Sequence, residues 1–110
     1  MARQYFFSPE EITSLNPVPG IFMNTVTGDQ MTMSIVDLDP NSVLPVHSHP
    51  HEQIGMLIEG ELEFTIGEET RTVKPGDVWH IPGNVEHGAV AGDMPTKAVD
   101  VFYPIREDYR

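Results

Sequence analysis

Turn-forming residues interrupt this chain at short intervals, and they constrain its fold more than any other feature. The turns contain glycine, proline, asparagine and aspartate, and they lie at Thr27-Gly28-Asp29, Asp39-Pro40-Asn41, Glu59-Gly60, Gly67-Glu68-Glu69, Pro75-Gly76-Asp77, Pro82-Gly83-Asn84 and Gly92-Asp93. The segments between them have strand length and are rich in β-branched or alternating residues: 21–26, 31–38, 53–58, 61–66, 71–74, 77–81, 88–90 and 97–103. This spacing predicts an all-β sandwich or barrel of the jelly-roll type.

Only the N-terminal region has a helical signal. Ser8 can cap a helix, Pro9 suits its first position, and Glu10 and Glu11 favour the positive end of the helix dipole. The sequence Asn16-Pro17-Val18-Pro19-Gly20 should end this helix within about two turns. We therefore expect a short helical turn before the strands.

Alternation within the strands predicts which side chains face the core. Leu62, Phe64 and Ile66 alternate with acidic residues and should point inward. In segment 31–38 the odd positions are mainly apolar, so we expect Met31, Met33 and Ile35 on the packed side, with methionine as a core residue rather than a ligand. His80 either lines the cavity or lies at the surface, and we favour the surface.

Length and composition limit the classes of protein. The 110 residues predict one domain, 1–110, with one core. The formal net charge of −11 disfavours binding to nucleic acid or to anionic membranes. The chain has no cysteine, which excludes thiolate ligands, and no apolar N-terminal segment of signal-peptide or membrane-span length, so we expect a cytoplasmic protein.

A histidine-rich segment, His47-Ser48-His49-Pro50-His51-Glu52-Gln53, indicates a metal site. On an extended chain His47 and His49 point to the same side, and two imidazoles supply half of a site for Zn, Fe, Ni or Cu. His87 is the candidate third ligand. The alternative is that His47 and His49 are polar residues on an exposed strand. His51 follows Pro50, and we expect it at the rim of the site.

Gln53 would affect the chemistry of such a site. Three imidazoles and an amide are all neutral, so a divalent ion would keep its full charge and act as a stronger Lewis acid. The set also lacks an anionic ligand that would stabilise oxidised iron, which favours polarisation of a substrate oxygen over redox chemistry. Two positions of an octahedral ion would remain open for substrate oxygens.

The C-terminal segment has two interpretations, and the residues alone do not decide between them. If it is a strand entering the barrel, Asp100 and Phe102 face the cavity, and Arg106 follows the Pro104 turn as a carboxylate-binding group. In the other interpretation it is a surface tail, in which Arg106 pairs with an acid such as Asp108.

Two motifs together resemble those of the cupins, small jelly-roll barrels also described as double-stranded β-helices. The first motif, His-x-His followed by Gln53 and Gly60, covers residues 47–60, and the second, Gly-Asp followed by Pro82 and His87, covers residues 76–87. The sequence departs from the usual motifs at Asn41, Gln53, Asn84 and Ala91, and of these only Gln53 concerns the chemistry. The resemblance implies one divalent transition metal ion, and this ligand set admits Ni, Zn, Fe, Mn and Co.

The resemblance is closer to the KdgF-type cupins of pectin and alginate breakdown. It is carried by His-x-His-Pro-His-Glu-Gln-Ile-Gly, by Pro-Gly-Asn-Val-Glu-His-Gly-Ala and by the ending Asp-Val-Phe-x-Pro-x-Arg-Glu-Asp. It implies ring opening of 4,5-unsaturated monouronates to an open-chain 5-keto-4-deoxyuronate. It also implies that His47, His49, Gln53 and His87 bind the metal and that Asp100, Phe102 and Arg106 contact this small-molecule substrate, with Asp100 as the base.

Two other classes of function remain open. One is a different cupin enzyme, such as a dioxygenase or a sugar isomerase, and the other is a non-catalytic module that binds a small acidic ligand or sugar. No basic patch accompanies the barrel, which argues against a DNA-binding regulator. We also expect a homodimer, because pairing through edge strands would cover exposed sheet edges.

Overall fold

Two antiparallel sheets form the protein, as described for residues 3–110 by a computed structural model. The six-stranded sheet has the order β1-β2-β3-β10-β5-β8, and the four-stranded sheet has the order β4-β9-β6-β7. The strands are β1 Thr13–Val18, β2 Ile21–Thr27, β3 Thr32–Leu38, β4 Val43–His47, β5 Glu52–Glu59, β6 Leu62–Ile66, β7 Glu69–Val73, β8 Val78–Ile81, β9 His87–Ala91 and β10 Thr96–Tyr103. The predicted all-β jelly-roll architecture is confirmed.

Every predicted strand segment forms a strand, whereas β1 and β4 were not predicted. Each of these two strands contains a proline, Pro17 in β1 and Pro45 in β4, and each lies at the edge of its sheet. Proline lacks the N–H that an inner strand must donate, so it is tolerated at an edge. The same two prolines weakened the strand pattern in the sequence, so these strands were not predicted.

Helical structure in residues 3–110 is confined to two 3₁₀ turns, Pro9–Glu11 and Glu107–Tyr109. The first is the predicted N-terminal turn, in which the Ser8 hydroxyl donates to the Glu11 carboxylate at 2.7 Å. The expected second turn does not form, because the chain enters β1 at Thr13 and pairs with β2. Neither turn has the length or the apolar content to cross a membrane.

The apolar core lies between the sheets. Leu62 and Phe64 of β6 pack there as predicted, and Ile66 packs against the core while partly buried. The six-stranded sheet contributes buried side chains that include Ile21, Leu38, Leu57, Trp79 and Ile81. The predicted turn at Gly60 has φ of +86°, and a side chain there would overlap Thr96.

The orientation predicted for β3 is wrong. Thr32 and Ser34 are fully buried and face the interior, while Met31 and Met33 are 52% and 38% exposed on the outer surface. Ile35 shares that outer side and is half-buried. The small polar side chains face inward because β3 runs beside β10 and lines a cavity that contains polar groups, with Ser34 opposite Asp100.

Candidate metal centre

Three of the histidines that the sequence singled out converge at one end of the barrel. His47 ends β4 and lies directly opposite His87, which begins β9, so the pairing of β4 with β9 brings the rings together. His49 follows in the loop before β5. The ring centroids are 4.3 Å apart for His47 and His87 and 5.0 Å apart for His49 and His87. One nitrogen from each ring lies within 4.8 Å of the others, which is close enough for the three to hold a metal ion.

Backbone carbonyl groups select the same tautomer in all three rings. Each Nδ1 faces a carbonyl oxygen two residues away, and because a carbonyl only accepts, each Nδ1 must carry the hydrogen. Each Nε2 is then left with a free lone pair, as a metal ligand requires. The three contacts are His47 to Pro45 at 2.8 Å, His49 to His51 at 3.0 Å and His87 to Val85 at 2.9 Å.

The side chain of Gln53 is oriented by a buried hydrogen-bond chain. Its Nε2 donates to Asp100 Oδ1 at 2.9 Å, and Trp79 Nε1 donates to the same oxygen at 2.8 Å. The Gln53 amide oxygen is therefore directed toward His49, 3.1 Å from Nε2. Two lone pairs face each other at this distance, and a cation beside them would remove the repulsion. The donor set of three imidazole nitrogens and one amide oxygen fits a divalent transition metal ion.

Gly55 makes this chain of hydrogen bonds possible. It lies on β5 opposite both Asp100 of β10 and Trp79 of β8. A Cβ at this position would overlap the Asp100 carboxylate and the Trp79 indole. A glycine inside a strand can signal such a close approach, but the sequence did not identify the partners.

Burial favours the neutral form of two of the histidines, His49 and His87. Burial, the nearby Arg106 charge and His87 lower the pKa of His49 to about 4. Burial also lowers the pKa of His87, partly offset by its hydrogen bond to the Val85 carbonyl. Neutral imidazoles bind metal without first releasing a proton, so both groups are ready to act as ligands near neutral pH.

Asp100 is buried, as the cavity interpretation required. Its pKa is raised by burial, which outweighs the opposing effect of the hydrogen bonds from Gln53 and Trp79. Both donors use Oδ1, and Asp100 also lines the cavity. Asp100 can therefore hold Gln53 in place while it faces bound ligand.

The structure supports the cavity interpretation of the C-terminal segment and not the surface tail, although Arg106 does pair with Asp108. Arg106 pairs with Asp108 through Nε at 3.1 Å and Nη2 at 2.9 Å, yet it is only 7% exposed and lines the cavity. Its guanidinium carbon lies 4.0 Å from the ring centroid of Tyr109 and 4.9 Å from that of Phe102, as in cation–π contacts. Arg106 Nη1 is buried and has no hydrogen-bond partner within residues 3–110. A carboxylate ligand would supply one.

These groups line one cavity of about 280 Å³ between the two sheets. Its polar end carries the histidines, Gln53, Asp100 and Arg106, and its deeper walls are apolar, with Leu38, Leu62 and Phe64 among them. The sequence had not identified Tyr109 or Ser34 as part of this cavity. Tyr109 lies in the last 3₁₀ turn, where no strand alternation applies.

The two remaining histidines lie outside the cluster. His51 is half-buried, and its Nε2 donates to the carbonyl of Ile105 at 3.1 Å, beside Arg106. His80 is exposed, as favoured, and its Nε2 lies 2.7 Å from the Glu52 carboxylate. Neither ring belongs to the group of nitrogens that could share a metal ion.

Comparisons with known proteins agree with this architecture. The family model described as "Cupin domain" matches residues 34–102. The pectin degradation protein KdgF of Dickeya dadantii is 30% identical over 92 residues, which cover 82% of this chain and 84% of the relative. The H2HPP isomerase of Bacillus subtilis is 32% identical over 96% of this chain, but the chain spans only 47% of that protein.

A solved structure is similarly close. The structure of KdgF from a Halomonas species superposes with a TM-score of 0.86 at 30% identity, covering 96% of this chain and 98% of that one. The match extends over both sheets and over the strands that carry the histidines. The chain belongs to the cupin family and resembles its KdgF-type members.

Proposed function

We propose that this protein is a metal-dependent enzyme that opens the ring of 4,5-unsaturated monouronates from pectin or alginate breakdown, giving the open-chain 5-keto-4-deoxyuronate. The similarity to the pectin degradation protein KdgF supports a role in uronate metabolism. The observation that carries the proposal is one shared cavity in which three metal-competent imidazoles and a buried carboxylate meet an arginine whose Nη1 has no partner within residues 3–110.

His47, His49, Gln53 and His87 would hold the metal ion. The donor atoms would be the imidazole Nε2 atoms of the three histidines and the amide oxygen of Gln53. Backbone carbonyl groups orient the imidazoles, and Asp100 orients the Gln53 amide. The bound ion would act as a Lewis acid on oxygen atoms of the substrate. A neutral nitrogen and oxygen set admits Ni, Zn, Fe, Mn and Co.

Arg106 and Phe102 would orient the substrate. Arg106 uses Nε and Nη2 for Asp108, so Nη1 remains for the uronate carboxylate. Its contacts with the Phe102 and Tyr109 rings restrict the guanidinium, which reduces the entropy lost when the substrate binds. Phe102 would in turn pack against the sugar ring.

Asp100 would transfer the proton. The hydroxyl at C1 of the cyclic substrate loses its proton to Asp100, the bond between C1 and the ring oxygen breaks, and C1 becomes the aldehyde. The electrons of the broken bond remain on the former ring oxygen as an enolate at C5. Protonation at C4, by Asp100 or by water, then gives the 5-keto product, which is an isomer of the substrate.

The first experiment follows the absorbance of the C4=C5 double bond in unsaturated galacturonate monomer. We expect the metal-loaded protein to accelerate the loss of this absorbance. With the His47→Ala/His49→Ala double variant, the absorbance should fall only at the spontaneous rate. Loss at the spontaneous rate despite measured metal binding would contradict the proposal. If the uronate still bound tightly, that outcome would favour a ligand-binding module.

Asp100→Asn separates proton transfer from the positioning of Gln53. The asparagine carbonyl oxygen can accept the hydrogen bonds from Gln53 and Trp79, but the amide cannot take a proton. We expect metal content to stay near that of the wild type and kcat to fall by about 10²–10⁴. Asp100→Ala is the matched variant, which should lower metal affinity as well. Full activity of metal-loaded Asp100→Asn would exclude the proton-transfer role.

The similarity to H2HPP isomerase favours a second candidate, an isomerase with another carboxylate-bearing substrate. The same Arg106 and ligand set would serve that reaction. This candidate would be favoured if the protein turned over such a substrate but did not accelerate the ring opening of unsaturated uronate above the spontaneous rate. Oxygen consumption dependent on Fe(II) would instead indicate a dioxygenase.

A further inference from the structure

Buried hydroxyl groups lie on the inner surface of the six-stranded sheet, on β2 and β3. Those of Thr25, Thr32 and Ser34 are at most 2% exposed. A hydroxyl group that is buried without a hydrogen bond costs free energy, so each should have a partner. Thr25 Oγ1 donates to the backbone carbonyl of Tyr109, and Thr32 Oγ1 accepts from the backbone N–H of Arg106 at 3.0 Å. Ser34 Oγ has no partner within residues 3–110.

The cavity distinguishes Ser34 from the two threonines. Ser34 lines the cavity between the sheets, whereas Thr25 and Thr32 are not among its lining residues. The next residues on this inner surface toward the deep end, Met23 and Val36, are apolar and also line the cavity. An alanine would fit these surroundings without leaving a polar group unsatisfied. The Ser34 hydroxyl therefore needs a partner from a molecule bound in the cavity.

The strand register places Ser34 beside the proposed base. Ser34 on β3 lies directly opposite Asp100 on β10, and the Cβ atoms of such a pair are about 4.5–5.5 Å apart. Both hydrogen bonds that Asp100 accepts within residues 3–110 use Oδ1, and they come from Gln53 and Trp79. Ser34 is not one of these donors, although it is adjacent. An oxygen atom of a ligand can therefore lie between Ser34 Oγ and Asp100 Oδ2.

A substrate hydroxyl group has the hydrogen-bonding capacity that this pair requires. It donates one hydrogen bond, here to Asp100, and it accepts others, here from Ser34. When its proton passes to Asp100, negative charge develops on the oxygen, and a donor already in place stabilises that charge. The aldehyde oxygen that results only accepts hydrogen bonds, so the Ser34 O–H group suits it before and after the transfer.

We propose that Ser34 donates a hydrogen bond to the substrate oxygen from which Asp100 takes the proton, the C1 oxygen of the uronate. This inference rests on the proposed function and identifies the group that holds the reacting oxygen. The hydrogen of Ser34 stays on Oγ, while the proton of the C1 hydroxyl moves to the Asp100 carboxylate.

The same register orients the sugar ring. Thr32 and Phe102 form the row next to Ser34 and Asp100, and residues two apart on a strand are separated by about 7 Å. Arg106 belongs to the Thr32 row, because its backbone N–H meets Thr32 and its guanidinium carbon lies 4.9 Å from the Phe102 ring centroid. A carboxylate on Arg106 and a C1 oxygen at Ser34 are then one row apart, which is comparable with the span of one sugar ring.

Ser34→Ala tests the kinetic role with unsaturated galacturonate monomer as the substrate of the metal-loaded protein. We expect kcat to fall by about 10–100-fold with a smaller change in KM, because the hydrogen bond strengthens as charge develops on the oxygen. Metal content should stay that of the wild type, since Ser34 contacts no proposed ligand. A variant with the wild-type kcat would overturn the proposal.

Thermal melting of the metal-free proteins separates this role from a structural one. Ser34→Ala should keep or raise the melting temperature, because it removes a hydroxyl group that has no partner. The matched variant Thr25→Val removes a hydroxyl group from the same row of the sheet, and it should lower the melting temperature by about 4–8 °C, because the bond to Tyr109 is lost. An equal decrease for Ser34→Ala would indicate a structural role and overturn the proposal.

Binding measurements test the contact without turnover. The probes are D-galacturonate and its 1-deoxy analogue, which lacks the C1 oxygen. Ser34→Ala should raise the Kd of galacturonate by about 5-fold and leave that of the analogue unchanged. Equal effects on both probes, or none, would overturn the contact. If the wild type failed to open unsaturated galacturonate but this difference remained, the proposed function would fail and the Ser34 contact would stand.

Discussion

The two ends of the barrel interior are both buried but are built from different chemistry. At the deep end Leu38 and Leu57 are 4% and 1% exposed and pack by volume alone. At the open end His49, Asp100 and Arg106 are 7–8% exposed, yet all are polar and are held by hydrogen bonds. The deep end should therefore determine stability, and the open end should determine metal and ligand binding at some cost in stability.

The strongest test of this comparison at the open end is His49→Ala. Removing one of three imidazoles should lower metal affinity and the proposed activity by at least about 10³-fold. The unfolding free energy of the metal-free protein should change little or rise, because a buried polar ring is removed. Metal titration and chemical denaturation measure the two effects. Retained metal affinity would show that His49 is not a ligand.

Leu57→Ala is the converse test at the deep end. Removing the buried side chain should lower the unfolding free energy by about 3 kcal/mol, through lost burial and the cavity left behind. Metal affinity of the folded fraction should stay near that of the wild type, because Leu57 faces the core and not the histidines. Denaturation followed by Trp79 fluorescence measures the unfolding free energy. A large loss of metal affinity would mean that the two ends are not separable.

A smaller effect is expected from Trp79→Phe, at the boundary of the two ends. The ring still fills the core beside Phe64, but the hydrogen bond to Asp100 is lost. Gln53 then has a less firmly held partner, and metal affinity should fall by about 10-fold. Isothermal titration calorimetry with the metal ion measures this affinity. Unchanged affinity would show that Asp100 positions Gln53 without help from the indole.

The smallest expected effect is a pH dependence from His49. Its pKa of about 4 in the folded protein lies below the ordinary value of 6.5, so the unfolded chain binds more protons between these two pH values. Stability of the metal-free protein should fall as pH decreases through this window. Between pH 6.5 and 4 the unfolding free energy of the metal-free wild type should fall by at least about 1 kcal/mol more than that of His49→Gln, because the variant lacks this titrating group. A constant difference between the two proteins would contradict the low pKa.

The same comparison explains which parts of the site could be predicted from sequence. His47 and His49 were identifiable because their spacing, with Gln53 and the Gly60 turn, is local, and His87 was identifiable because it ends a second local motif, residues 76–87. The contact of Gln53 with Asp100 joins residues 47 positions apart, and that of Trp79 with Asp100 joins residues 21 apart. No local pattern encodes such contacts. They depend on the register that places Gly55 between β8 and β10.

By itself the sequence determined most of the strand segments and the turns, because glycine, proline and alternation act through the backbone within a few residues. It also determined the candidate ligands. Only the tertiary structure decided which side of β3 faces inward, because alternation separates two faces without saying which one is buried. Thr32 and Ser34 line the interior and Met33 lies outside, since the packing of the second sheet, and not the hydrophobicity of β3, defines the inside of the barrel.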